Sequence, residues 1–426
     1  MIDTLIICSG QGDIILEKNF GALVPRSVSE EYFNAANKTD DMSVLKPIIV
    51  SENRDTFLFY FKRHNIVYLA ATKQECPALL ISKFLEHIDL VLCDFFGEEK
   101  LDEKIKHQFV ALYMVVDELV DGGFPNITEP NLLKELLEPQ TFTGIGSGTV
   151  ASSTVLPDSI TSAIFWRKSH VSYMQNEMFI DINEVYNAIF GSDGVAITSN
   201  ISGEVAACAK LSGLPDLTLH FEDASIMDDV SLHPCVRYFR WMQQKIVSFV
   251  PPDGSFTLLK YRAGTSTISI PPPIAVRPEC IIFKDNGKFA LTLVSRNTQN
   301  NLIEQLYIDF VMPSCVSTVD TRCTQGSFSY DTTKKIGHWL LNRLVPQQEV
   351  QITGTFHFDD TKTESTAGKG TVICEERPIA LIHFQIAKLA ISGLRLRSLT
   401  LGSENAYKMY KGMRAFTRSG NYEVRF

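Results

Sequence analysis

Cys280-Ile281-Ile282-Phe283-Lys284-Asp285-Asn286-Gly287-Lys288-Phe289-Ala290-Leu291-Thr292-Leu293 reads as two extended runs folded back on each other. Phe289, Leu291 and Leu293 recur at every second position, the period of a half-buried strand. Asp285-Asn286-Gly287 separates the runs, and Asn-Gly supplies the positive φ angles that a tight hairpin needs. The alternation continues in both directions: Leu217, Leu219 and Phe221; Leu306, Ile308 and Phe310; Val350, Ile352, Phe356 and Phe358; Ile382, Phe384 and Ile386. Pro251-Pro252-Asp253-Gly254 marks a further turn. Many short strands at close spacing predict an antiparallel β-sandwich from about residue 165 to 426. Its length leaves room for two fused sub-units.

Toward the N-terminus the period changes. Leu5–Cys8 and Ile14–Leu16 flank a turn-rich Ser9–Asp13 spacer, and Phe57–Phe61 and Ile66–Ala71 flank Lys62–Asn65, predicting two hairpins. Leu80, Phe84, Ile88, Val91 and Phe95 then recur at three- and four-residue steps, as do Phe109, Leu112, Val116, Leu119 and Val120. Those are amphipathic helices, the second stopped by Gly122-Gly123. Thr128-Glu129-Pro130 predicts a capped short helix ending near Leu137. Residues 1–138 thus form a mixed α and β unit. From 139 to 164 the chain is rich in Gly, Ser and Thr, with Asp158 its only charge over Pro139–Ala163, and reads as a flexible linker. Thr141, Thr143, Ser147, Ser152, Ser153 and Thr154 would be open to kinases there.

The 426 residues carry a net charge of −9, with 45% hydrophobic and 21% charged residues. That composition is globular and gives no chain-wide nucleic-acid footprint. The nine cysteines are irregularly spaced without a CxxC, which argues against a disulfide framework or zinc finger and for a reducing compartment. Met1-Ile2-Asp3 shows no basic n-region, and no apolar run approaches 18 residues, so neither a leader nor a membrane span is expected.

Candidate chemical constellations are thin. Gly144-Ile145-Gly146-Ser147-Gly148 lacks the strand, helix and Lys-Ser/Thr pair of a phosphate loop. Asp228, Asp229, His233 and Cys235 are the densest potential metal ligands, but no second His or Cys group stands at ligand spacing. HExxH and GxSxG are absent. No catalytic residue, metal or cofactor is expected. Charge is more informative: Lys388, Arg395, Arg397, Lys408, Lys411, Arg414, Arg418 and Arg425 face only Glu404 and Glu423, so residues 388–426 carry +6 and the rest −15. Such a segment suits anionic lipid head groups or acidic peptides.

An ordered set of motifs spans nearly the whole chain. Phe124-Pro125, Thr128-Glu129 and Leu132–Leu136 come first. Trp166-Arg167-Lys168, Asn176–Asp181, Lys210-Leu211-Ser212-Gly213-Leu214-Pro215-Asp216, Asp229–Arg237, Ser248–Gly254, Ile391-Ser392-Gly393-Leu394 and Arg418–Glu423 follow. The set resembles the medium (mu) subunits of clathrin-type adaptor protein complexes, and most of all those of adaptor complex 3. The resemblance implies an α+β longin-like N-terminal domain for complex assembly, then an all-β, antiparallel β-sandwich mu-homology domain. It implies two large and one small adaptor subunits as partners, anionic membrane lipids as a further contact, and no nucleic acid. It implies a cytoplasmic protein, peripheral on Golgi and endosomal membranes and transport vesicles.

It also implies that the sandwich reads Tyr-x-x-Φ signals (Φ a bulky apolar residue) in cytosolic tails of membrane cargo bound toward lysosome-related compartments. A peptide can add a strand to an exposed edge and send alternate side chains into pockets. Phe179 would wall the tyrosine, Asp181 would accept its phenolic proton, and Arg414 would pair with Asp181 and cover the ring. A phosphate on that tyrosine would be repelled by Asp181. Ile180, Leu396, Leu399 and Met413 would line the apolar pocket, with 413–418 as the edge strand. Many family members carry a tryptophan where Gly412 stands, and some a basic residue where Cys208 stands. These departures keep a second expectation open, a structural or interaction subunit that no longer reads tyrosine signals.

Overall fold

The computed structural model describes residues 1–38, 45–51, 55–137, 162–264, 270–283, 286–296, 299–358, 376–402 and 407–426. They divide into two compact units, Met1–Arg167 and Lys168–Phe426. The glycine-rich Gly144–Gly148 stretch, the hydroxyl residues from Thr141 to Thr154, and Asp285 of the hairpin turn lie outside the described residues.

In the first unit β1 (Thr4–Ser9) and β2 (Ile14–Asn19) form the first hairpin. Helix α1 (Ser27–Asn37) and strands β3 (Ile48–Val50), β4 (Phe57–Arg63) and β5 (Ile66–Thr72) complete a sheet ordered β2-β1-β5-β4-β3. Helices α2 (Ala78–Phe96), α3 (Leu101–His107), α4 (Phe109–Leu119) and α5 (Pro130–Leu136) follow. Strand alternation splits β1 between two cores. Leu5 and Ile7 pack with Ile81, Leu85, Ile88 and Leu112, whereas Ile6 and Cys8 pack with Val28 and Tyr32. The sheet is therefore covered on both faces, by α1 on one and by α2 and α4 on the other, the expected longin-like α+β arrangement.

Two local expectations need correction. Helix α4 stops at Leu119 because Val120 is already extended, pairing in a two-residue ladder of β6 (Val120–Asp121) with β7 (Phe124–Pro125). Gly122 and Gly123 make the turn between them at φ of 53° and 82°. Pro130 does open α5, but its N-cap is Glu129 without a side-chain cap bond, and the Thr128 carbonyl is instead 2.8 Å from His87 Nε2.

The second unit is β almost throughout. Its strands are β8 (Glu177–Phe190), β9 (Ala196–Lys210), β10 (Leu217–Phe221), β11 (Asp229–Leu232), β12 (Val247–Phe249), β13 (Gly254–Ala263), β14 (Ile274–Ile282) and β15 (Asn286–Ser295). Then come β16 (Ile303–Val311), β17 (Val316–Cys323), β18 (Ser327–Asp331), β19 (Ile336–Leu344), β20 (Glu349–Phe358), β21 (Ile379–Ala387), β22 (Leu396–Leu401) and β23 (Tyr410–Arg425). One short helix, α6 (Tyr238–Gln244), lies between β11 and β12. Among the described residues the long sheet runs β11-β13-β9-β8-β23-β21-β16-β19-β18, beside a β14-β15-β20-β17 sheet and a β12-β10-β22 sheet. Phe289 meets Phe310 and Phe426 at ring separations of 5.4 and 6.1 Å, joining the four-stranded sheet to the long one. The last strand breaks the antiparallel rule: β23 enters the long sheet between β8 and β21 and pairs with β8 in parallel. A parallel pair needs a long connection, and more than two hundred residues separate these two strands in the chain.

Among the described cysteines Cys8, Cys76, Cys93, Cys208, Cys235, Cys280 and Cys323 are free.

Candidate peptide-binding edge

Alternation on β8 decides the site. Met178, Ile180, Ile182, Glu184 and Tyr186 are buried, so Phe179 and Asp181 point to the opposite, accessible face. Register then fixes their neighbours. Phe179 lies between Gly412 on β23 and Cys208 on β9, and Asp181 lies between Arg414 and Ala206. Small residues beside Phe179 and Asp181 leave a recess of about 330 Å³, lined by both and by Ala206, Cys208, Ser255, Phe256 and Thr257. Arg414 is the register partner of Asp181, yet no ion pair joins them and its exposed side chain lines a different cavity.

That cavity, about 660 Å³, lies across the edge of the same strand. Met413 pairs with Ile180, one residue out of phase with Gly412 and Arg414, and so belongs to the opposite face. Leu396 and Met413 line the cavity with Ile182, Leu389, Leu394 and Phe416, and Glu222, Gln299, Lys388 and Arg395 line it as well. Ile180 and Leu399 do not line it; they are 0% and 2% exposed. Ile182, one pleat further along, takes the place expected of Ile180. Leu399 is committed to β22, facing Leu219 of β10, and its carbonyl accepts from Lys411 Nζ at 2.5 Å.

β23 carries an open strand edge beside the cavity, and the recess, lined by β8, β9 and β13, lies one strand further in. β23 pairs with β21 only from Phe416 onward, so Tyr410–Ala415 have no strand partner on that side among the described residues. The edge is therefore 410–415 rather than 413–418, because Phe416–Arg418 already face Ala387–Gln385. Unpaired N–H and C=O groups there are a template for an added strand.

The cavity rim is held from beneath. Glu184, 1% exposed, accepts from the Tyr261 hydroxyl at 2.6 Å, from Ser392 N at 3.0 Å and from the Ser392 hydroxyl. Thr417 Oγ1 donates to the Leu389 carbonyl at 2.8 Å and accepts from Ile391 N at 3.1 Å. Burial, and then the charge of Glu184, hold the Tyr261 phenol far above its usual range, so it stays a donor. The Ile391-Ser392-Gly393-Leu394 motif is thus the strap that fixes Leu389 and Leu394 in the cavity wall. The motif was legible in the sequence; its partner, Glu184, was not.

Two further polar clusters lie among the described residues. Cys235 N donates to His233 Nδ1 at 3.1 Å, and the His233 ring meets Phe256 edge-on at 5.4 Å. Burial lowers the His233 pKa to about 4. In the first unit the fully buried Asp89 accepts from Tyr68 at 3.0 Å and lies 3.3 Å from His64 Nδ1 and 3.5 Å from Arg63. Cys93 completes that group, its thiol raised to about 11 by burial, so it is no thiolate at neutral pH. All eight basic residues between Lys388 and Arg425 are exposed. No helix of the described residues is long and apolar enough to cross a membrane.

The sequence profile of the adaptor complexes medium subunit family matches residues 164–426. AP-3 complex subunit mu-1 of Bos taurus is 34% identical over 432 residues, covering 100% of both chains. AP-3 complex subunit mu-2 of Homo sapiens matches at 34% over 100% of both chains. A chain in a homology model of the full-length AP-3 complex in an intermediate open conformation aligns with a TM-score of 0.60 at 19% identity, covering 99% of each, which speaks for the fold alone.

Proposed function

This chain belongs to the adaptor complexes medium subunit family, and on that premise we propose that its open β23 edge captures Tyr-x-x-Φ signals as an added strand. One observation carries the reading: the cavity with Leu396 and Met413 adjoins the unpaired β23 edge, and the recess with Phe179 and Asp181 opens on the opposite face, one strand in from that edge. Side chains three apart on an extended peptide also point to opposite faces. A tyrosine and an apolar residue at that spacing would enter both at once. Asp181 accepts the phenolic proton, Phe179 supports the ring, and the fixed Leu389–Leu394 wall receives Φ.

The rest of the role follows the family. Helices α2 and α4 leave Leu79, Leu90, Phe109, Val110 and Tyr113 exposed on the first unit. Apolar surface of that kind supports docking against the two large and one small subunits of a heterotetramer. The chain is then a cargo-sorting coat component rather than an enzyme, held at the cytosolic face of Golgi and endosomal membranes through its complex. The exposed basic residues from Lys388 to Arg425 support an anionic lipid contact.

Isothermal titration of the full chain with a Tyr-x-x-Leu peptide and its Tyr→Ala form tests the reading. Heat from the first alone is expected. Equal heats with folded protein would sink it and favour the rival, a subunit that assembles without reading tyrosine, for which Gly412 and Cys208 speak.

A further inference from the structure

Gly412 leaves the recess without the ring that many relatives carry at that position, and the structure shows what fills the space. The Phe179 ring lies over Gly412: a Cβ there would meet Phe179 Cδ1 at 2.3 Å and Cε1 at 2.7 Å. Two residues before the glycine, on the same face of β23, Tyr410 packs against Phe179 with ring centroids 5.9 Å apart at 57°. Tyr410 is 64% exposed, on the edge segment that lacks a strand partner. Its backbone N–H donates to the Asn176 carbonyl at 2.8 Å, which fixes the start of the strand and with it the Cα that carries the ring.

Phe179 lines the recess and Tyr410 meets it from the edge strand, so the pair extends the aromatic lining of the recess onto that strand. We infer that Tyr410 is the specificity-determining aromatic wall of this subunit's tyrosine recess, taking with Phe179 the part that position 412 plays elsewhere in the family. The inference rests on the Tyr-x-x-Φ reading and deepens it. Phe179 lines the recess with Asp181, and Tyr410 meets Phe179 at a tilt from the edge strand, so an incoming tyrosine stacks on the pair while its hydroxyl reaches the carboxylate. Gly412 is required for this arrangement, because any side chain there would push Phe179 off Tyr410.

Titration of the full chain with a Tyr-x-x-Leu peptide, using wild type, Tyr410→Leu, Tyr410→Phe and Asp181→Ala, separates the outcomes. Leucine keeps apolar contact with Phe179 but offers no ring face. Tyr410→Leu is expected to weaken binding roughly fivefold. Tyr410→Phe should stay within about twofold of wild type, since the ring is what acts. Asp181→Ala should abolish binding, with thermal midpoints unchanged in every variant. Wild-type affinity in Tyr410→Leu alongside loss in Asp181→Ala would overturn the Tyr410 role and leave the signal reading standing. A wild-type chain that does not distinguish Tyr-x-x-Leu from Ala-x-x-Leu would overturn both. A loss in Tyr410→Phe equal to that in Tyr410→Leu would overturn stacking as the cause.

Discussion

Phe179 and Asp181 are separated by one residue, and that spacing is why both reach the same recess. The parity was readable from the sequence, since Met178, Ile180 and Ile182 are the apolar positions of an alternating strand. Depth along the strand was not readable, so Ile180 was expected where Ile182 lies. Tyr410 was invisible for a related reason: its partner Phe179 sits more than two hundred positions away, and only the parallel register joins them. Substituting Asp181→Asn keeps the volume but weakens the acceptor. Peptide affinity should fall by about tenfold or more in calorimetry, with the circular dichroism spectrum unchanged. His233 supplies a pH signature. Its folded pKa is depressed from 6.5 to about 4 by burial, so its contribution to stability is present above 6.5 and lost as pH falls toward 4. Thermal midpoints measured from pH 7.5 to 4.5 should drop, and drop less in His233→Asn. A parallel fall in both proteins would point to other groups.

At the scale of elements, the decisive feature is where β21 stops pairing with β23. Beyond Phe416 toward the N-terminal end of β23, the edge opens, and the 388–395 segment beside it is strapped down by Glu184 and Thr417 rather than by a ladder. The motif Ile391-Ser392-Gly393-Leu394 announced that something fixed lay there, but no periodicity links it to a buried carboxylate on β8. Glu184→Ala removes the acceptor of Tyr261 and of Ser392 together. It should cost about 3 kcal/mol of stability in urea unfolding. It should also weaken binding of a peptide with Leu at Φ more than one with Ala there. Tyr261→Phe, which deletes a single bond to Glu184, should cost about 1 kcal/mol. A Glu184→Ala protein as stable as wild type would show that the strap is not under load.

Over the whole molecule the sequence separates an α+β unit from a β unit, and the structure does so too, with Met1–Arg167 and Lys168–Phe426 as its compact bodies. Period changes from 3.6 to 2 made that division legible. Sheet order and the parallel insertion of β23 were not legible, because strand pairing at long sequence separation leaves no mark in local periodicity. The charge asymmetry carries a prediction at this scale. Residues 388–426 hold +6 against −15 elsewhere, and their basic side chains are exposed. Binding of the full chain to anionic vesicles should therefore weaken several-fold as salt rises to about 0.3 M, and salt-insensitive binding would argue for another contact.

The most direct test of an edge read from both faces is to change the spacing of the peptide rather than the protein. Calorimetric titration of the full chain would compare a Tyr-x-x-Leu peptide with a Tyr-x-x-x-Leu peptide of otherwise identical composition. One added residue turns the leucine to the face of the tyrosine and away from the Leu396–Met413 cavity. A loss of affinity of about tenfold or more for the longer spacing is expected; equal affinity for the two spacings would contradict capture of the peptide as a strand on the Tyr410–Ala415 edge.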